Sequence, residues 1–522
     1  MRLSLRSATR LHRATGFLVG TIAIVLTAVG TFVGCRGQYG GVDGGGGSTP
    51  DFLSTGRTLS FFRAIQVDPR SEDSAGPQFV VAEDLNSDGL LDLVSAWNES
   101  QPVQIHLQRR SGGAIQFETT ILAGNIPVVS VAGLAVTDFD GDNAPDIAVL
   151  LKNTLSGDAA CLDSELPAGA EQSGLMLLYL GPADATQTNQ ALAWREAPVE
   201  ASRLAGRGGA AGVPEEGGYT SMAVGDLDRD GDMDIVVAWN SNCGGESGSR
   251  DAVVFFNQGF GAVRDGTWVA TPVPNSAPVG TAIKDVALGD IDADGDLDIV
   301  ATFPDAGSMN VRWFRNPVVD VADDFHISDG QWQVGTIGQI ATQADIIRIG
   351  DLDGDGLLDV LVRSTAGKVI QWLKGAGGQS TTAPLANIPW RVYTLAEFSE
   401  RTPQSLAIGD LNFDRQVEVI VSAGGGVLWL DAESAPSVYD QWIERLIVDD
   451  DPPGRPDQSP ATTDPNVSPD EVAGVTSINS ILVVDLDGDG ANDLVATLDR
   501  VGLSGLSNDA LVWFRNTQTA PN

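Results

Sequence analysis

Seven times along the chain an apolar run is broken by an aspartate-rich stretch of nine residues and then resumed, and no other feature constrains the fold as tightly. The clearest copy reads Val286-Ala287-Leu288-Gly289, then Asp290-Ile291-Asp292-Ala293-Asp294-Gly295-Asp296-Leu297-Asp298, then Ile299-Val300-Ala301. The loops begin at Asp84, Asp138, Asp226, Asp290, Asp351, Asp410 and Asp485; five of the six spacings lie between 54 and 75 residues and one is 88. Short β-branched runs on either side of a tight turn read as a hairpin. A period of this length marks a repeat architecture, in which each unit buries its faces only against its neighbours.

Each hairpin is followed by a third apolar run, such as Val311-Arg312-Trp313-Phe314-Arg315-Asn316, Val369-Ile370-Gln371-Trp372-Leu373 or Leu511-Val512-Trp513-Phe514-Arg515-Asn516. Most units add a fourth, marked by Trp268, Trp332, Trp390 or Trp442. Four strands per repeat is the make-up of a propeller blade, so the chain reads as all-β, a seven-bladed β-propeller of four-stranded blades. The 61 Gly and 26 Pro supply the turns that such a fold needs. The seventh unit runs out of chain soon after Asn516, whereas a strand-like stretch, Leu59-Ser60-Phe61-Phe62-Arg63-Ala64-Ile65, precedes the first. This N-terminal strand is expected to complete blade seven and close the ring.

The pattern Asp-x-[Asp/Asn]-x-Asp-Gly-x-x-Asp puts side-chain oxygens at loop positions 1, 3, 5 and 9, with a main-chain carbonyl available at 7. Hard oxygen donors at this density suit Ca²⁺, which takes 6 to 8 oxygens at about 2.3–2.6 Å. The loop is not an EF-hand, because its twelfth position carries Ser95, Val149 or Val237 in place of a bidentate Glu and β-branched strands flank it. From about residue 59 to 517 the sequence resembles the FG-GAP/VCBS repeat family, related to the integrin α-subunit propeller. The resemblance implies calcium ligands at Asp84, Asn86, Asp88 and Asp92; at Asp138, Asp140, Asp142 and Asp146; and at Asp226, Asp228, Asp230 and Asp234. It implies the same at Asp290, Asp292, Asp294 and Asp298; at Asp351, Asp353, Asp355 and Asp359; and at Asp485, Asp487, Asp489 and Asp493.

The sixth loop, Asp410-Leu411-Asn412-Phe413-Asp414-Arg415-Gln416-Val417-Glu418, departs from the pattern. Arg415 stands where Gly or Asn tolerates a left-handed backbone, and Glu418 is longer than the Asp it replaces. The expectation is about six calcium sites with the sixth loop empty, the Arg415 guanidinium lying among Asp410, Asp414 and Glu418 in place of an ion.

Arg2, Arg6, Arg10 and Arg13 precede an uncharged apolar stretch over 16–34, the layout of an export signal. Phe32-Val33-Gly34-Cys35 resembles a bacterial lipobox, with Phe32 in place of the usual Leu, which implies lipidation at Cys35. An uncleaved signal anchor and ordinary cleavage near Ala28-Val29-Gly30 are the alternatives. The segments are thus a signal peptide over 1–34, a lipidated cysteine and Gly-rich tether over 35–58, the propeller over 59–517 and a tail over 518–522. Lipidation leaves an even pair, Cys161 and Cys243, expected to form a disulfide in an oxidising compartment.

A formal charge of −39 argues against nucleic acid and anionic membrane surfaces as partners, so membrane contact is expected only through the N-terminal anchor. The eleven Trp fall mostly at repeated strand positions and read as core, with Trp97 and Trp239 the candidates for stacking on a sugar. Beyond the signal only His106 and His326 titrate near neutrality, and no catalytic constellation can be assembled. The long insertions over 155–174, 201–218, 241–250 and 449–471 fall on the face opposite the aspartate loops, where recognition is expected. The leading reading is therefore an exported scaffold, anchored through Cys35 at the outer surface or in the periplasm, or secreted, that binds an extracellular protein or glycan. The alternative is a carbohydrate-active enzyme, polysaccharide lyase-like, built on a calcium-bearing propeller.

Overall fold

The computed structural model describes residues 62–68, 76–98, 103–111, 114–122, 130–152, 175–198, 218–240, 252–273, 283–303, 310–317, 332–338, 343–375, 390–398, 402–423, 426–432, 442–448, 475–501 and 510–518. All of them belong to the compact unit Ser48–Asn522. Within it the strands form seven four-stranded antiparallel sheets. Six sheets take their strands in chain order, beginning with Pro77–Glu83, Asp92–Trp97, Val103–Ser111 and Ala114–Ile121 in blade one.

Blade seven is assembled from both ends of the fold. Val475–Val484, Asp493–Val501 and Ala510–Asn516 are followed in the sheet by Phe62–Asp68, which pairs antiparallel with the last strand, Phe62 opposite Asn516 and Ile65 opposite Trp513. The described part of the closing strand begins at Phe62, within the expected stretch, and its register is set by pairing with the last strand.

The second strands are buried on both faces; every residue of Asp92–Trp97 and of Asp359–Ser364 is buried. This follows from blades packing face to face, each second strand being covered on both sides. The buried residues fall into seven clusters, each shared by two consecutive blades. One of them joins Val80 and Leu93 of blade one to Val495, Leu511 and Trp513 of blade seven, so the ring is closed by packing as well as by strand exchange.

Where the first strands converge, the position before the loop has no room for a side chain in blades five and six. A Cβ on Gly409, the residue before the sixth loop, would lie 2.4 Å from Val483 Cγ1 of the next blade, and one on Gly350 would lie 2.5 Å from Ile408 Cδ1. Glycine before the first aspartate thus allows close approach of adjacent blades.

Candidate metal loops

Every aspartate loop joins the first strand of its blade to the second. The side chain at position 1 folds the loop around itself by accepting main-chain N–H groups from positions 5 and 6. Asp290 accepts from Asp294 and Gly295, both at 3.0 Å, Asp351 from Asp355 and Gly356 at 3.1 and 2.8 Å, and Asp485 from Asp489 and Gly490 at 3.0 and 2.9 Å. These bonds require left-handed backbone at position 6, held by Gly89, Asn143, Gly231, Gly295, Gly356, Arg415 and Gly490. Position 4 is left-handed as well, in Ser87, Gly141, Arg229, Ala293, Gly354, Phe413 and Gly488, a constraint that the residue types there conceal. A left-handed residue with a Cβ costs roughly 1–2 kcal/mol, which the bonds to position 1 offset.

Position 9, which the resemblance makes a calcium ligand, also binds the main chain. Asp298 is fully buried, and its two oxygens accept the N–H of Ile291 at position 2 (3.1 Å) and of Asn316 at the end of the third strand (2.7 Å). The same pair of bonds recurs at Asp92 with Leu85 and Gln108, at Asp146 with Phe139 and Gly181, and at Asp234 with Leu227 and Asn257. It recurs again at Asp359 with Leu352 and Gly375, and at Asp493 with Leu486 and Asn516. These carboxylates staple the loop to the third strand. Burial outweighs the N–H bonds and pushes Asp92, Asp146, Asp359 and Asp493 up to about 7 and Asp234 to about 8.

The donor set fits a calcium ion. One oxygen from each of Asp226, Asp228 and Asp230 lies within 4.8 Å of the others, and the same holds for Asp290, Asp292 and Asp294, for Asp351, Asp353 and Asp355, and for Asp138, Asp140 and Asp146. Two oxygens on one calcium cannot be more than about 5 Å apart, so a single ion can reach each trio. Asp140 Oδ1, Asp226 Oδ1, Asp292 Oδ1 and Asp353 Oδ1 are buried without a hydrogen-bond partner, which is costly unless a cation meets them. Burial and the neighbouring carboxylate raise Asp228 and Asp292 above the ordinary aspartate range.

Basic side chains reach four of the loops at positions 3 and 5. Arg264 donates through Nε to Asp140 (2.6 Å) and through Nη2 to Asp142 (3.0 Å). Arg315 Nε lies 2.6 Å from Asp292 Oδ2, at ion-pair distance though not aligned as a hydrogen bond, while its Nη2 donates to Asp294 at 3.1 Å. Arg515 repeats this with Asp487 (2.5 Å) and Asp489 (3.3 Å), and Lys374 bridges Asp353 and Asp355. Arg109 approaches Asp88 only to 3.7 Å and shares itself with Glu118, both being well exposed.

The sixth loop keeps the shape of the others. Arg415 adopts φ +69°, and its N–H reaches Asp410 Oδ2 at 2.9 Å, so the side chain does not prevent the turn. Asp410, Asp414 and Glu418 come within 4.8 Å of one another. Glu418 accepts the Leu411 N–H at 2.6 Å through Oε2, and its buried Oε1 has no hydrogen-bond partner, in contrast to the doubly bonded Asp at this position elsewhere.

A set of inter-blade bonds at the loops is not anticipated by the motif. The Asn257 side chain donates to Phe139 O of blade two (2.7 Å), Asn316 to Leu227 O of blade three (2.8 Å), Asn516 to Leu411 O of blade six (3.0 Å), and Gln108 to Leu486 O of blade seven (2.8 Å). Each carbonyl belongs to position 2 of the preceding blade's loop. The signal was present in the amide residue that ends these third strands, Asn257, Asn316, Asn516 or Gln108, although nothing local says where its side chain points.

Trp97, a candidate for sugar stacking, is 0% exposed, and its Nε1 donates to Ser95 Oγ at 2.8 Å. It is core. Trp239 lies in the strand Asp234–Asn240, but its side chain is outside the description. His106 is fully buried, with Nε2 2.8 Å from Ser95 Oγ and Nδ1 2.9 Å from Thr119 Oγ1, a polar link across three strands of blade one. Cys35, Cys161, Cys243, His326, the apolar N-terminus and most of each long insertion lie outside the described residues.

Residues 84–149 and 351–421 match the FG-GAP-like repeat family. Each match begins on the first aspartate of a loop; together they take in the first, second, fifth and sixth loops, so the divergent sixth lies within the family pattern. Among solved structures, the crystal structures of BBS1N in complex with ARL6DN, soaked with lead or with mercury, are 13% identical and cover 88% of this chain and 99% of theirs, with TM-scores of 0.45 and 0.44. No curated protein matches the chain in sequence.

Proposed function

We propose that this FG-GAP-like propeller is an exported, calcium-loaded scaffold that binds an extracellular protein or glycan. The observation that carries the calcium reading is the trio of aspartate oxygens within reach of one ion, combined with buried oxygens that lack a hydrogen-bond partner. Positions 1, 3 and 5 would hold the ion in blades three, four and five and positions 1, 3 and 9 in blade two, and the ion would supply charge neutralisation and tie the two ends of each loop together; position 9 also holds the loop to its blade. Calcium here is structural, since it joins parts of one hairpin and the loops recur around the whole ring.

Export rests on the basic and apolar N-terminus, and anchoring on Cys35. A Cys161–Cys243 bridge belongs to the same reading, and thiol labelling of unreduced, denatured protein decides it: two reactive sites in this pair rule the bridge out. A rigid ring carrying long insertions is suited to binding, with recognition on the insertions.

The test of the calcium reading is thermal unfolding with and without chelator. A metal that binds only the folded loops stabilises the fold by RT ln(1 + [L]/Kd) per site, about 2.7 kcal/mol at a hundredfold excess over Kd. The melting temperature should therefore fall in excess chelator and recover with added calcium but not with magnesium, which demands shorter octahedral bonds. A melting temperature indifferent to chelator would refute structural calcium.

A further inference from the structure

The four loops that receive a basic side chain do so with one geometry but from two places in the chain. In blades four, five and seven, Phe314, Leu373 and Phe514 pair with the residue after position 9, and the next residue along the third strand is Arg315, Lys374 or Arg515. In blade two that register position is Leu180, and the guanidinium comes instead from Arg264, on the helix Phe260–Asp265 of the adjacent blade. Wherever arginine is used, Nε faces position 3 and Nη2 faces position 5.

Blade three differs. Its register position is Phe256, turned into the core between blades three and four, and among the described residues no Lys or Arg forms an ion pair with Asp226, Asp228 or Asp230. Blade six has Asp431 there, an acid in place of a base.

We infer that Arg315 acts as an internal counter-ion in blade four, so that calcium is held tightly in blade three and weakly or not at all in blade four. This rests on the calcium reading and decides which loops it applies to. The physical reason is displacement. Arg315 is 1% exposed between Asp292 and Asp294, which are themselves 2% and 4% exposed. In blade four an ion entering positions 3 and 5 must expel a guanidinium that has no water to receive it, and a buried charge left without its partner weakens binding by more than about a hundredfold. Arg264, Lys374 and Arg515, at 33%, 27% and 38% exposed, can turn into water and oppose an ion less. The loop of blade three imposes no such displacement. Its carboxylates repel one another until a cation arrives.

The experiment counts calcium bound per chain by equilibrium dialysis over a range of free calcium. It compares the wild type with Asp228→Asn/Asp230→Asn, Asp292→Asn/Asp294→Asn and Arg315→Met, each checked for fold by circular dichroism. The blade-three pair should remove the tightest ion, and the blade-four pair should leave tight binding unchanged. Arg315→Met should gain about one tight ion. If Arg315→Met does not fold, Arg315→Gln, which keeps a polar side chain and removes the charge, provides the same gain-of-site test in blade four. The inference fails if the blade-four pair removes an ion as tight as the one in blade three, or if the arginine variants gain none. Absence of calcium from every protein, arginine variants included, would overturn the calcium reading itself and this inference with it.

Discussion

Replacing Asp298 by Ala separates the two roles that an aspartate at position 9 can have. Its oxygens accept the N–H groups of Ile291 and Asn316 at 3.1 and 2.7 Å, and the residue is wholly buried. Removing the carboxyl leaves two buried N–H groups without acceptors, at about 1–3 kcal/mol each. Against this stands the desolvation that the carboxyl no longer suffers, the same burial that raises its pKa well above the ordinary range. The net loss is about 3 kcal/mol. Asp298→Asn keeps one acceptor and turns an NH₂ toward the other N–H, so it should lose roughly half as much. For a chain of this size the specific entropy of unfolding converts about 3 kcal/mol into roughly 3 °C of melting temperature. The assay is urea unfolding in excess chelator, reading the shift in midpoint at unchanged slope. The reasoning requires the loss to persist without calcium, because the lost bonds are main-chain ones. If Asp298→Ala matches the wild type in chelator and differs only with calcium present, position 9 is a metal ligand and not a staple.

Three further outcomes follow from the same geometry. Asn316→Ala should cost about 1–3 kcal/mol in urea unfolding, since it strips the buried carbonyls of Leu227 and Leu297 of their donor while leaving the Asp298 bond in place; a cost below about 0.5 kcal/mol, the scale of a surface substitution, would mean the inter-blade clasp contributes nothing. In chelator the ring should lose stability as pH rises from about 5 to 9, because Asp234 and Glu418 are raised by burial to about 8 and about 9; the folded state then binds more protons than the unfolded one and the slope is negative, so melting temperatures that climb with pH would contradict it. Arg415→Gly should leave the fold intact and raise stability by up to about 1 kcal/mol, by removing a Cβ from a left-handed position whose N–H bond to Asp410 persists; a loss in the melt would show that the arginine side chain contributes more than its backbone strain costs.

The blade count, the four strands per blade and the closure of blade seven by an N-terminal strand were legible in the amino-acid sequence, because each rests on a pattern that repeats within one hairpin or between one hairpin and the next. Seven phased loops fix seven blades, and a unit short of a strand at one end with a spare strand at the other leaves one way to close the ring. What the aspartates do was legible only in part. Positions 1 and 6 belong to the turn itself and could be read locally. Position 9 could not, since its partners, Asn316 for Asp298 and Gln108 for Asp92, sit at the far end of the third strand. The charge that meets positions 3 and 5 comes from 21 residues away in Arg315 and from 124 in Arg264, and the bond from Gln108 to Leu486 spans 378. Strand register and blade packing bring these groups together, and side-chain direction across a twisted interface between sheets leaves no local trace in the order of the residues.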